Sequence, residues 1–266
     1  VMYYNGTNWA RLGYGTDGHF LKTQGASANP VWAAGAAGGA SDIDGLSDAL
    51  VENNSIWLGN DPSGTTDTAS NNVAVGVTAL DAITTGDANV SIGQASLSAN
   101  TTGANNTAVG YQALDANTTG NYSTAVGDTA LSSQTTANYS VGIGRQALTS
   151  LTTGNNNVAV GHSAGYYHTT GDHNIFVGHD AGRANTTGAY NTFVGNYAGD
   201  ANTTANGNNT LGYLALSANT TGANNVAIGN NALDANTTAG ANIAIGTESL
   251  GAVSYTHLTL PTIYSV

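Results

Sequence analysis

The chain has 266 residues with 36 glycines, 3 phenylalanines and no cysteine, and its 4 Lys and Arg stand against 16 Asp and Glu for a net charge of -12. That balance excludes nucleic acid as a partner, because phosphate binding needs Lys and Arg to neutralise it, and the missing cysteines exclude a disulfide framework or thiolate metal site. Charged residues are only 8% of the chain, so Asn, Thr and Ser must carry its surface polarity, and no apolar run is long enough for membrane insertion by this segment.

Residues 1–50 show no period. The opening "VMYYNGTNWARLG" has no basic stretch followed by an apolar run and does not read as a signal peptide. A chain starting at Val1 reads as a fragment of a longer frame. From Gly6 to Ala33 the sequence runs "GTNWARLGYGTDGHFLKTQGASANPVWA". Through Trp9, Gly15, Asp17, Gly18, Leu21, Gly25, Ala26, Pro30 and Trp32 it resembles a short element of tailed-phage tail-fibre proteins. "AAGAAGGASDIDGLSDAL" then reads as a flexible Gly/Ala-rich linker.

Residues 51–252 repeat. A glycine after an apolar triplet falls at Gly59, Gly76, Gly93, Gly110, Gly127, Gly144, Gly161, Gly178, Gly195, Gly212, Gly229 and Gly246, always 17 residues apart. Thr-Thr pairs keep the same register, from Thr84 to Thr237. An unbroken period of this length predicts an all-β, parallel β-solenoid (β-roll) of 17-residue coils. Seventeen residues are too few for a helical hairpin, and abundant Gly, Asn and Thr disfavour helix. Each coil reads as a short strand ("NVAV", "NVSI", "NTAV", "NIAI"), a glycine corner, an Ala-Leu segment and a Thr-Thr-Gly corner. Strand alternation separates two faces. The larger residue before each glycine is the expected core: Val75, Ile92, Val109, Val126, Ile143, Val160, Val177, Val194, Leu211, Ile228 and Ile245. The Ala-Leu segment, as in Ala113-Leu114 and Ala232-Leu233, is expected to add a second inward contact. Three coils replace that leucine by Gly165, Gly182 and Gly199, while Phe176 and Phe193 enter the strand where most coils have Ala. This predicts ring volume moving from one side of the coil to the other. Asn and Gly are expected at corners and in coil-to-coil ladders.

The repeats resemble the "NAVAIG" units of trimeric autotransporter adhesin heads. They are still more similar to the "TTGxNNTAVGYQAL" arrays of phage tail fibres and bacterial surface proteins, with "NNTAVGYQAL" at Asn105–Leu114 nearly an ideal copy. The resemblance implies a left-handed, homotrimeric β-roll without a cofactor, on a virion tail fibre or the bacterial cell surface, whose partners are itself and a host receptor or glycan. Composition favours self-association independently, since a narrow coil of small residues buries little alone.

No enzyme is expected from the pattern of acidic and histidine residues. Asp81, Asp115 and Asp234 share one repeat position and read as a solvated corner, not as carboxylates facing across a cleft. His162 and His179 are 17 apart and should stack on adjacent coils; they are weak candidates for a metal. His168 and His173 flank the next Thr-Thr-Gly corner. The reading that emerges is a structural shaft or head segment supporting attachment. Two alternatives stay open: a polysaccharide-processing enzyme of the tailspike kind, and an ice- or crystal-surface binder using the Thr-Thr ladder. Residues 253–266 break the register, with Ile263 where a glycine is due, and "VSYTHLTLPTIYSV" resembles translated sequencing-adapter read-through. They are expected to form no further coil.

Overall fold

In a computed structural model, the structure describes residues 2–4, 7–11, 19–22, 31–34, 49–59 and 67–251. The chain divides into two compact units, Val1–Val51 and Glu52–Val266. The linker glycines and residues 253–266 lie outside the described residues, as do Gly15, Asp17, Gly18, Gly25, Ala26 and Pro30 of the tail-fibre-like element.

The first unit contains two antiparallel pairs. β1 (Met2–Tyr4) pairs with β2 (Trp9–Arg11), and β3 (His19–Lys22) with β4 (Val31–Ala34). β5 (Ala49–Glu52) follows.

The second unit is a parallel β-solenoid. Its strands are β6 (Ser55–Leu58), β7 (Val73–Val75), β8 (Val90–Ile92), β9 (Thr107–Val109), β10 (Thr124–Val126) and β11 (Val141–Ile143). They continue as β12 (Val158–Val160), β13 (Ile175–Val177), β14 (Thr192–Val194), β15 (Asn209–Leu211), β16 (Val226–Ile228) and β17 (Ile243–Ile245). From β6 to β17 each strand pairs in parallel with its sequence neighbours, in register, Ile56 opposite Val73 and Val226 opposite Ile243. The 17-residue sequence period is therefore the coil length. Strands of 3 residues are too short to stand alone; they persist because every coil hydrogen-bonds to the next.

The corner after each strand explains the register glycines. Gly76 has φ +135°, and a Cβ there would lie 2.7 Å from the carbonyl oxygen of Gly93 in the next coil. Two residues beyond it the chain enters the left-handed region, and two residues later it does so again, as at Gln112 (φ 51°) and Leu114 (φ 53°). Left-handed geometry is unfavourable for most side chains. Here it recurs in every coil because each turn is locked by ladder bonds: Gln112 N–H donates to Gln94 O at 3.0 Å and Leu114 N–H to Ala130 O at 3.1 Å.

The interior overturns the expected core. Val75, Ile92, Val109, Val126, Ile143, Val160, Val177, Val194, Leu211, Ile228 and Ile245 do not face inward; they are half-buried or exposed. The buried strand residue is the middle one: Ala74, Ser91, Ala108, Ala125, Gly142, Ala159, Phe176, Phe193, Thr210, Ala227 and Ala244. The reason is width. A 17-residue coil encloses a lumen that the Ala-Leu corner already fills, with Leu80, Leu97, Leu114, Leu131, Leu148, Leu216 and Leu233 all fully buried. Only a small strand residue fits opposite, so the β-branched side chains point out. The Ala-Leu expectation is borne out.

Phe176 and Phe193 confirm the volume rule. Both rings are fully buried, 5.8 Å apart. A Cβ at Gly165 would meet Phe176 Cδ2 at 2.6 Å, and one at Gly199 would meet Phe193 Cε2 at 2.7 Å. The rings occupy the space that leucine fills elsewhere, as the paired exchange predicts.

Two buried amide ladders complete the lumen. In the first, Asn89 accepts from the backbone N–H of Asn106 at 3.0 Å and donates its amide to Asn72 Oδ1 at 3.1 Å and to the Gly103 carbonyl at 2.9 Å. Each such side chain thus ties three coils together. The ladder is interrupted by Ser123 and Ser140, and there Gln134 reaches across, its Nε2 donating to Ser123 Oγ at 3.1 Å and Ala137 O at 3.0 Å. In the second ladder Asn100, Asn117, Asn185, Asn202, Asn219 and Asn236 donate to the carbonyl three residues ahead. His168 occupies that position in its coil, its Nε2 2.8 Å from Gly171 O.

Candidate functional site

Two surfaces of the solenoid carry more than its uniform Asn, Thr and Ser: an apolar sheet face and a corner of histidines and aromatics. The first is the face of the parallel sheet. The first and third residues of each strand project outward, so β7, β8, β11, β12, β13, β16 and β17 each present two aliphatic side chains. Along the rank Ile92 is 39% exposed, Leu211 55% and Ile245 67%. Between β14 and β16 the face is dented around Leu211, lined by Thr192, Val194, Asn209, Val226 and Ile228. Thr and Asn replace the outward aliphatics of β14 and β15 there. A contiguous apolar face on a polar chain marks an interaction surface.

The second is the corner after the strand in the coils from 161 to 214. His162 and His179 stack as their spacing requires, with ring centroids 5.1 Å apart and planes 10° from parallel. Backbone bonds hold the two coils together there: Asp180 N–H donates to His162 O at 3.0 Å and Tyr197 N–H to His179 O at 2.9 Å. Asp180, at φ 54°, turns its carboxylate toward His179, Oδ2 lying 3.3 Å from Nδ1. Arg183 Nε is 3.7 Å from the other carboxylate oxygen, and the guanidinium sits over Tyr167 at 5.3 Å and Tyr166 at 6.0 Å. Tyr197 packs edge-on against His179 and against Tyr213. Burial pushes the Asp200 carboxyl above the usual carboxylate range, its own and the Ala201 backbone N–H opposing; nearby Asp180 adds to the rise and Arg183 counters it.

The other histidines separate. His173 is exposed and stacks on Tyr190 at 5.2 Å. His168 is fully buried, edge-on to Phe176 at 5.4 Å. Burial pushes its imidazole below the ordinary histidine range, against a smaller upward pull from the Gly171 carbonyl.

Among the described residues the acidic side chains do not converge on a cleft. Asp81, Asp115, Asp200 and Asp234 recur at one position of the coil, separated by multiples of 17. The Thr-Thr pairs divide their roles. The first threonine spends its hydroxyl on the next coil, Thr101 Oγ1 donating to Thr118 O at 3.1 Å and Thr152 Oγ1 to Thr169 O at 3.0 Å. The second, from Thr85 to Thr238, is exposed throughout, which leaves one rank of outward hydroxyls.

The sequence reading missed the aromatic neighbours of the histidine pair. It also missed the Tyr122–Tyr139 stack, whose centroids are 5.2 Å apart. The signal was available, since those tyrosines too are separated by 17 residues. Among the described residues no helix is long and apolar enough to cross a membrane. None of the family models, curated proteins or solved structures compared with the chain matches it, so its classification rests on its own coordinates: a parallel β-solenoid repeat protein.

Proposed function

We propose that this chain is a non-catalytic fibre segment, a shaft or head, that assembles as a homotrimer through the outward face of its parallel sheet and supports attachment of a phage tail fibre or bacterial surface adhesin to its host. The observation that carries this reading is the rank of outward Val, Ile and Leu side chains on β7–β17. A chain that surrounds itself with Asn, Thr and Ser has no reason to leave this rank in water unless another surface covers it. Closed symmetry lets identical faces cover one another and removes the apolar area without an open-ended aggregate. Three copies of every surface feature then sum weak contacts to a receptor or glycan. The resemblance to adhesin heads and tail-fibre arrays supplies the number three and the site of display.

Light scattering on the full chain tests it. The expected mass is three times 26.5 kDa, and Ile92→Asp with Ile228→Asp should give a folded monomer with unchanged far-ultraviolet circular dichroism. A wild-type monomer at tens of micromolar would refute the assembly. The single rank of exposed threonines favours a second reading, binding to ice or another crystal surface. Thermal hysteresis of the purified protein, and its loss in Thr119→Val with Thr136→Val, separates that reading from the first. The tailspike-enzyme alternative gains no support from carboxylates that recur at one corner two or more coils apart.

A further inference from the structure

We propose that His162, His179 and Asp180 form a binding site for a divalent transition-metal cation. Among the described residues this is the one group in which three potential ligand atoms lie within 4.8 Å of one another. It contains two imidazoles and one carboxylate, a donor set suited to zinc, nickel or copper rather than to calcium or magnesium, which take oxygen ligands.

The solenoid organises the site in advance. His162 and His179 occupy one repeat position on adjacent coils, and the backbone bonds between those coils fix their Cα atoms before any ion arrives. Asp180 is held in a left-handed turn that sends its carboxylate to His179. Around a tetrahedral ion with bonds of about 2.1 Å, neighbouring donors sit about 3.4 Å apart. The His179–Asp180 pair already meets that spacing at 3.3 Å. The two rings stand parallel, so rotation about their side-chain torsions must bring the nitrogens together. The His179 side chain, 44% exposed, has room to turn. The remaining coordination positions face solvent and accept water.

Two cations border the site and tune its affinity. Arg145 Nη1 lies 3.3 Å from His162 Nε2, a nitrogen it engages in competition with a metal. Arg183 lies beside the far oxygen of Asp180 and leaves Oδ2 to the site. Loss of Arg145 should therefore strengthen metal binding, whereas loss of a ligand weakens it.

Isothermal titration of the full chain with zinc or nickel chloride, in a non-chelating buffer at neutral pH, tests the proposal. The expected result is one ion per chain. His162→Ala or His179→Ala should weaken binding at least about tenfold, and Asp180→Asn by less. Arg145→Ala should tighten it while leaving the far-ultraviolet circular dichroism unchanged. His173→Ala, which alters an exposed histidine outside the group, should leave it unchanged. No binding to either metal at millimolar concentration would overturn the proposal, as would undiminished binding in the His162→Ala/His179→Ala double variant. Because the site is on a corner and not on the sheet face, a trimer that binds no metal and a monomer that binds it are separable outcomes.

Discussion

The coils around Leu114 and Leu131 and the coils around Phe176 and Phe193 fill the same lumen in opposite ways. In the first, the corner supplies the bulk and the strand a small residue: Leu131 packs against Gly142, where an added Cβ would lie 3.0 Å from Leu131 Cγ. In the second, the strand supplies a ring and the corner is reduced to Gly165, Gly182 or Gly199. The backbone hardly notices, since Gly165 (φ 62°) and Leu148 (φ 51°) share the same left-handed turn. Leucine and ring do not share a coil, and the coil of Ala159 and Gly165, which has neither, is filled by the Phe176 ring of the next coil and by Leu148. The exchange also coincides with the surface that carries His162, His179, Asp180 and Arg183, so the coils with rearranged interiors are those with the most elaborate exteriors.

The strongest way to break this equivalence is to empty one lumen. Phe176→Ala removes a fully buried ring opposite a glycine and should cost about 3–5 kcal/mol in denaturant unfolding. Adding Gly165→Leu to that variant should recover much of the loss, because the leucine restores the arrangement of the neighbouring coils. Failure of that rescue would show that the two interiors are not interchangeable.

Gly165→Leu alone asks the converse question. Overpacking against Phe176 should cost about 1–3 kcal/mol, so the same substitution must harm the wild type and help the alanine variant. A positive change in midpoint in both backgrounds would contradict the shared-volume account.

Gln134→Ala should cost about 1–3 kcal/mol, because it removes the buried amide that donates to Ser123 Oγ and Ala137 O where the asparagine ladder is broken. Restoring the ladder with Ser123→Asn and Ser140→Asn in the same chain should reduce that cost, which thermal melts of the variants would measure.

The smallest effect concerns His168 and acid. Its pKa is lowered in the folded chain by burial, so the unfolded chain binds the proton first. The stability it contributes is full above the unfolded histidine pKa of about 6.5 and is lost as pH falls below that value toward the folded one. His168→Asn, which installs the residue used by most coils at this ladder position, should flatten the melting temperature between neutral and mildly acidic pH. An unchanged slope would assign the acid sensitivity elsewhere than to His168; Asp115 and Asp200, whose carboxyls burial raises, act with the opposite sign, since acid relieves the cost of their charge in the folded chain.

Much of this architecture could be read before the coordinates. The 17-residue period became the coil, the inward Ala-Leu segment and the Phe-for-Leu exchange were legible, and so was the stacking of His162 on His179. The face of the strand was not. Alternation divides Val75 from Ala74 without saying which is inside, and the usual rule that the larger apolar residue is buried points the wrong way here. The decisive clue was in the sequence: Phe176 and Phe193 replace Ala in the very coils where glycine replaces leucine, which places the Ala position and the Leu position in one enclosed space.

Repetition by itself determined the period, the parallel in-register stacking and the side-by-side placing of any two residues separated by 17, because identical coils can satisfy their backbone groups only on one another. Only the tertiary structure decided what each position faces. The width of the closed coil sets how much volume the lumen accepts, and it turns the β-branched residues out to make an apolar face. The left-handed corners, which no propensity favours, bring Asp180 against His179, since those torsions are stabilised by the coils above and below and not by the residues that adopt them.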